Sequence, residues 1–189
     1  MPRYIAFLRA VNVGGRVVRM DELRVLFEGL GFSTVETFIA SGNVVFTDAS
    51  DDTHGLTRRI ERRLCEALGY DVATFLRTDR QVTAIARHEP FTAERIEAAQ
   101  ALNVGLLAEP LTRARVKRLM ALETDIDTFH VNGTEIYWLC QRRQSESTFS
   151  NVVFEKAVGA RTTFRGRNTL VRLAAKYPPA SSRPGTGRC

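Results

Sequence analysis

The chain contains Phe38-Ile39-Ala40-Ser41-Gly42-Asn43-Val44-Val45-Phe46, a run in which two apolar segments flank a short turn of polar residues and glycine. The same pattern returns in the second half as Phe129-His130-Val131-Asn132-Gly133-Thr134-Glu135-Ile136-Tyr137. Such a pattern predicts a β-hairpin. Each hairpin lies at the same place in a strand–helix–strand–strand–helix–strand order, so we expect one six-element unit to occur twice.

This order predicts an α+β fold of two ferredoxin-like (βαββαβ) units with antiparallel sheets, because each unit can cover one sheet face with two helices. The first unit spans residues 1–78 and the second 101–177, which includes a C-terminal closing helix. A helical connector fills residues 79–100 around Pro90, and residues 178–189 form a disordered tail. The alternative is one continuous α/β sheet, but the matching hairpins favour duplication.

Local signals place the elements of the first unit. Strand Arg3–Ala10 comes first, and a helix from about Asp21 is expected to stop at Gly31. Hairpin strands follow at Thr34–Ala40 and Val44–Thr47. Asp51, Asp52 and Thr53 then offer capping groups for a second helix that ends at Gly69. Strand one is apolar on both faces, which indicates that the other unit covers its open face.

Caps and strand patterns also locate later elements. Thr78 and Thr92 are expected N-caps, and a further helix is expected after Thr112. A helix near Ser150–Val158 precedes a short strand near Thr162–Phe164. The last helix is predicted over Thr169–Tyr177, with Asn168 or Thr169 as its N-cap.

Composition excludes several classes of protein. Hydrophobic residues make up 44% and charged residues 25% of the 189 residues, as in ordinary globular proteins. No apolar run is long enough to cross a membrane, and no signal peptide is recognisable, so we expect a cytoplasmic protein. Its three cysteines lack zinc-site spacing. The net charge of +6 permits polyanion binding without requiring it, and the tail contributes Arg183 and Arg188.

Connectivity brings two polar segments to one edge of the first sheet. Strands one and two both end at that edge, so the loop after strand one lies beside the hairpin turn. Arg9 could hold an anionic ligand there or bridge to a loop carbonyl. Gly14-Gly15 could cradle a phosphate or only make a tight connection, and the Ser41-Gly42-Asn43 turn could face a ligand or serve only the turn.

These residues also carry a resemblance. The runs Leu8–Gly15 and Ile39–Phe46 resemble the bacterial domain-of-unknown-function family 1697. The later segment Thr163–Thr169 is similar to that family's pattern at Thr163, Arg165, Asn168 and Thr169, and it departs at Gly166 and Arg167. The resemblance extends to about Lys176. It implies two ferredoxin-like domains and candidate positions, and no activity.

The candidate ligand-binding residues are therefore Arg9, Asn12, Gly14, Gly15, Ser41, Gly42, Asn43, Arg165 and Asn168. Arg165, Arg167 and Asn168 gather donors ahead of a helix N-terminus, which suits a phosphate or merely a solvated loop. The three histidines show no metal or nucleophile spacing. No metal site, catalytic residue or cofactor follows from the sequence, and whether the protein is an enzyme stays open.

Two functions are consistent with these residues. The first is binding of a small anionic or nucleotide-like ligand at the strand-edge loops of the first unit. The alternative is a nucleic-acid or protein interaction module that uses basic loops without catalysis. That surface would spread over Arg16, Arg19, Arg165 and Arg167, and its affinity would fall steeply with salt. No contact with a membrane is expected.

Overall fold

A computed structural model describes residues 1–12, 15, 17–39 and 41–180. The first unit consists of β1 (Arg3–Leu8), α1 (Met20–Glu28), β2 (Ser33–Thr37), β3 (Asn43–Thr47), α2 (Thr53–Leu68) and β4 (Thr74–Thr78). Its strands form an antiparallel sheet in the order β2-β3-β1-β4. This is the ferredoxin-like arrangement expected from the sequence.

The second unit repeats this arrangement after two connecting helices. Those helices are α3 (Asp79–Arg87) and α4 (Ala93–Ala98). The unit consists of β5 (Ala101–Leu106), α5 (Arg113–Met120), β6 (Asp127–Asn132), β7 (Glu135–Cys140), α6 (Asn151–Val158), β8 (Thr163–Gly166) and α7 (Arg167–Lys176). Its antiparallel sheet has the equivalent order β6-β7-β5-β8. The α+β fold with two such sheets is confirmed, whereas the proposed domain boundaries stay a prediction.

The helices begin where short polar side chains cap them. Asp52 accepts a hydrogen bond from the backbone N–H of Gly55 at 2.9 Å, and Thr78, Thr92, Thr112 and Ser150 cap α3, α4, α5 and α6 in the same way. Each cap satisfies a backbone donor that the first turn leaves free. Gly69 ends α2 with a left-handed φ of 78°, as the sequence predicts.

The buried residues form three layers. The outer layers pack α1 and α2 on the first sheet and α5 and α6 on the second. The middle layer joins the inner faces of both sheets with α3 and α7, and it includes Ile5, Phe7, Val104, Leu106 and Leu170. Tyr4, Ala6 and Leu8 point to the outer layer while Ile5 and Phe7 point to the middle one. Strand one is therefore covered on both faces, as its apolar pattern predicts.

The strand before the first hairpin turn ends earlier than predicted. The predicted strand Thr34–Ala40 ends at Thr37, and Ala40 lies outside the described residues. Ile39 and Gly42 adopt φ values of 49° and 70°, and the Asn43 amide bonds back across the turn. The connection is therefore wider than the second one, in which Asn132 pairs with Glu135 across Gly133 and Thr134.

Two expected helix ends also differ. Helix α1 ends at Glu28, before the predicted stop, and Gly31 follows as a left-handed residue whose N–H donates to the Glu28 carbonyl at 2.9 Å. Helix α7 begins at Arg167 with Gly166 in the N-cap position, so neither Asn168 nor Thr169 caps it. The reason is that Gly166 still pairs with Asn103 of β5, so β8 passes into α7 without a loop.

Candidate functional site

The loop after β1 lies directly against the turn before β3. The backbone N–H of Leu8 donates to the Gly42 carbonyl at 2.8 Å. A Cβ atom at Gly42 would lie 2.8 Å from Val11 Cγ1, and the φ of Gly42 is +70°. Glycine is required at this position because both the backbone conformation and the close approach exclude a side chain.

Arg165 reaches this edge from the last strand of the second unit. Its Nε donates to Asn43 Oδ1 at 2.8 Å, and its Nη2 donates to the carbonyls of Leu8 (2.8 Å) and Ser41 (2.9 Å). Its Nη1 donates to Thr163 Oγ1 and to the Phe164 carbonyl. Burial lowers the pKa of Arg165 to about 10, so the guanidinium stays charged at neutral pH. Arg165 thus ties the two units together.

Asn43 uses its side-chain amide in the same contact between the two units. Its side chain is buried, and its Nδ2 donates to the Phe38 carbonyl at 3.1 Å and to Ser41 Oγ at 2.7 Å. Its Oδ1 accepts from Arg165. These contacts use both ends of the amide, so Asn43 holds the turn and the arginine in register.

Arg9 forms an ion pair with Glu155 at the same edge. Its Nη2 lies 2.7 Å from Glu155 Oε2 of α6, and the two side chains are 28% and 24% exposed. The Nε of Arg9 is shielded from solvent and has no hydrogen-bond partner within the described ranges. Glu155 also accepts the backbone N–H of Thr162 through Oε1 at 3.3 Å, so its two oxygens have different partners.

A hydrogen bond from Val18 to Asn12 spans the loop between β1 and α1. Asn12 is exposed, and its Oδ1 accepts the backbone N–H of Val18 at 2.6 Å. Gly15 is exposed with a φ of +80°, and a Cβ atom at this position would have nothing within 4 Å. Gly14 and Arg16 lie outside the described residues. The structure therefore brings Arg9, Ser41, Gly42, Asn43 and Arg165 together, with Asn12 and Gly15 in the adjoining loop.

Asn168 lies elsewhere. It is exposed in the first turn of α7 and lines a separate cavity of about 300 Å³ together with Asn103 and Arg167. Arg167 Nη2 is 3.5 Å from Glu89 Oε1. Asn168 therefore does not share the edge occupied by the other candidates.

Sequence reasoning missed Glu155, Asn103 and Arg77. Glu155 pairs with Arg9, and Asn103 has the appearance of an ordinary strand residue in the sequence. Arg77 is buried on β4, where its Nε contacts Glu135 Oε1 at 2.9 Å. An alignment of the last strands of the two units would have shown that Arg77 and Arg165 are at equivalent positions, and it would have indicated an equivalent role for both.

Two further sequence expectations concern metal and membrane. Within residues 1–12, 15, 17–39 and 41–180, no group of three or more His, Cys, Asp or Glu side chains could hold a metal ion. No helix in that part of the chain has the length and apolar character needed to cross a bilayer. The predicted disordered tail, with Arg183, Arg188 and Cys189, falls outside these ranges from residue 181 onward.

Comparison with known proteins gives a family and a fold. The family described as "Protein of unknown function (DUF1697)" matches residues 1–137. The conserved bacterial protein SP0830 from Streptococcus pneumoniae superposes with a TM-score of 0.69 and 23% sequence identity, over 92% of this chain and 97% of that chain. At this identity the likeness is one of fold alone. No curated protein matches the chain.

Proposed function

The chain belongs to DUF1697, a family of proteins of unknown function, and we therefore propose a function from its own side chains. The protein binds a small anionic or nucleotide-like ligand at the edge formed by the loop after β1 and the turn before β3. Arg9 is the principal contact. Asn12, Gly15 and the Ser41 hydroxyl supply further polar groups at the same edge.

The contrast between two arginines supports this proposal. A guanidinium has five N–H donors. Arg165 donates five hydrogen bonds and is saturated. Arg9 donates one side-chain hydrogen bond, to Glu155, and its shielded Nε is left without a partner among the described residues. A planar oxyanion can take the remaining donors of Arg9 in pairs.

Glu155 sets the conditions for binding. It neutralises Arg9, so an incoming anion must share or displace this carboxylate. The pair is partly exposed, and ion pairs of this kind contribute little to stability. The Thr162 N–H stabilises Glu155 on its other oxygen, so the carboxylate can move from Arg9 without losing every partner.

The test measures thermal shifts and calorimetric binding with inorganic phosphate, ADP and a short single-stranded RNA. Wild-type protein is expected to show a saturable shift of several degrees with one of the small anions at 100 times its Kd. Arg9→Ala should abolish the shift, whereas Arg24→Ala on the exposed face of α1 should keep it. Equal binding by wild type and Arg9→Ala contradicts the proposal, as does an Arg9→Ala protein that cannot fold.

A polyanion-binding surface is the second candidate, and one observation favours it. Helix α5 carries Arg113, Arg115, Lys117 and Arg118 with no acidic residue in its first turn, and all four side chains are exposed. RNA affinity that falls steeply with salt and survives Arg9→Ala would identify this surface. Binding lost in an Arg115→Gln/Arg118→Gln variant would locate it on α5.

We also propose that the protein acts in the cytoplasm. Cys65 and Cys140 are free thiols, and Cys140 is buried against the carbonyl of Arg142 at 3.0 Å. Reduced thiols of this kind are typical of proteins in a reducing compartment. Localisation of a tagged chain by cell fractionation tests the statement.

A further inference from the structure

A polar cavity lies at the other end of β8 from the Arg9 edge. It has a volume of about 300 Å³ and lies between α4, the start of β5 and the junction of β8 with α7. Its apolar side is formed by Ile96, Ala99 and Leu102, and its polar side by Asn103, Arg167 and Asn168. This volume is at the lower end of the range for small-molecule sites, so an occupant must be small.

Asn103 is the most unusual residue of this cavity. It is 7% exposed, and its Nδ2 is shielded from solvent with no hydrogen-bond partner in the described part of the chain. Buried side-chain amides are normally paired, because an unpaired buried donor costs about 1–3 kcal/mol. The residue opposite in the ladder is Gly166, whose missing Cβ would lie 3.9 Å from Asn103 Oδ1. Glycine therefore places no side chain against the oxygen of this amide.

Arg167 brings a second unpaired donor. Its Nε is also shielded and lacks a partner among the described residues, and its side chain is 24% exposed. It forms an ion pair with Glu89, whose Oε1 lies 3.5 Å from Nη2 and whose side chain is 72% exposed. Because Glu89 is this exposed, its ion pair with Arg167 is weak, and the positive charge of Arg167 can attract another group.

The N-terminus of α7 adds to this positive character. The helix has ten residues, its N-cap position is Gly166, and no side chain caps it. No acidic residue lies in its first turn. The free backbone N–H groups and the helix dipole favour an anion at this end. Asn168, in the first turn, lines the cavity and can donate from its amide.

We propose that this cavity binds a small oxyanion, a carboxylate or phosphate group joined to a short apolar body. The Asn103 amide, the Arg167 guanidinium and the first turn of α7 hold the charged group. The apolar body packs against Ile96, Ala99 and Leu102. None of these residues takes part in the Arg9 site, so this second site stands independently of the proposed function.

The experiment titrates ¹⁵N-labelled full-length protein with inorganic phosphate, acetate, butyrate and n-butyl phosphate. We expect saturable shifts of the Asn103 side-chain amide and of the backbone amides of Asn168 and Thr169, with one common Kd. Butyrate binding tighter than acetate would demonstrate the apolar contact. The ranking of butyrate against n-butyl phosphate then identifies carboxylate or phosphate as the preferred headgroup.

Three variants separate a binding role from a structural one. Asn103→Leu replaces an unpaired buried amide with an apolar side chain of similar size, so the melting temperature should stay the same or rise. Its affinity for the preferred probe should fall at least tenfold. Arg167→Gln should lose at least tenfold as well. The control Arg58→Gln removes the same charge from the exposed face of α2 and should bind like wild type.

Several outcomes would overturn the inference. Linear, non-saturable shifts, or equal losses in Arg58→Gln and Arg167→Gln, would indicate general charge screening. An Asn103→Leu protein that is less stable and still binds would show that the amide has a structural partner such as water. If Asn103→Leu fails to fold, unchanged binding by Arg167→Gln is sufficient to reject the site.

Discussion

Arg77 and Arg165 occupy equivalent positions in the last strands of the two units, and each one holds the other unit's hairpin. Arg77 donates its Nε to Glu135 at the start of β7 at 2.9 Å. Arg165 donates its Nε to Asn43 at the start of β3 at 2.8 Å. The two contacts differ in that the first is an ion pair and the second a hydrogen bond to a neutral amide.

The backbone contacts of these arginines repeat in the same way. Arg77 Nη2 donates to the Leu107 carbonyl at 2.9 Å, and Arg165 Nη2 donates to the Leu8 carbonyl at 2.8 Å. Leu107 directly follows the first strand of its unit, and Leu8 ends the first strand of the other. The two units are therefore joined by two equivalent sets of arginine contacts, and each unit supplies the arginine of one set.

The first prediction concerns these contacts. Arg77→Ala leaves the largely buried Glu135 carboxylate, whose side chain is 13% exposed, without its cation, which should lower the free energy of unfolding by roughly 3–5 kcal/mol. Arg165→Lys should also be destabilising, because a lysine cannot reproduce the fork that binds Asn43 and two carbonyls. Urea unfolding measures both, with Arg58→Ala as an exposed control. Wild-type stability in Arg165→Lys would mean that charge alone is sufficient.

A second prediction concerns the glycine in the first hairpin turn. In Gly42→Ala the alanine must adopt the left-handed conformation, which costs about 1–2 kcal/mol of folding stability. Its methyl group would also lie 2.8 Å from Val11 Cγ1. Gly69→Ala is the matched control, because Gly69 has a similar φ of +78° with nothing within 4 Å. Gly42→Ala should lower the melting temperature more than Gly69→Ala. Equal losses would mean that Val11 moves aside without cost.

A third prediction concerns pH. Burial, and secondly the charge of His88, lowers the pKa of His130 from its ordinary value of 6.5. The unfolded chain then binds the proton more readily, so the folded state should lose stability as pH falls below about 6.5. Replacing His130 with Asn should reduce this dependence, measured as urea midpoints at two pH values. His54→Asn, at an exposed histidine, is the matched control substitution.

The fourth prediction concerns the carboxylate beside Arg9. Glu155→Gln keeps a similar shape and removes the negative charge that competes with a bound anion. Since a partly exposed pair is worth up to about 1 kcal/mol, affinity for inorganic phosphate should rise up to about fivefold. Isothermal titration calorimetry measures the change. A weaker affinity would indicate that Glu155 itself contacts the ligand.

The sequence predicts what local patterns control. The caps at Asp52, Thr78 and Thr92 and the left-handed stop at Gly69 follow from short-range hydrogen bonding and backbone sterics. The predicted start of α7 was wrong because strand pairing at Gly166 extends to the helix, and an N-cap pattern carries no information about a ladder.

The contacts between the two units could not be predicted from the sequence, for a different reason. Arg165 and Asn43 are 122 positions apart, and their contact depends on how two sheets face each other. Asn43 therefore has the same local signature whether it serves a turn, an arginine or a ligand. Asn103 lay hidden in the same way, because only the packing around β5 and β8 shows that its amide lacks a partner among the described residues.

The shared middle layer also bears on how a duplicated chain of this kind can change over time. Ile5 and Phe7 of the first copy and Val104 and Leu106 of the second contribute to one buried cluster with α3 and α7. Because this core is closely packed, a larger side chain in one copy requires a smaller side chain or a shift of the backbone in the other copy. The two halves therefore cannot diverge independently on their inner faces, and their freedom to acquire separate roles is confined to the outer edges and loops.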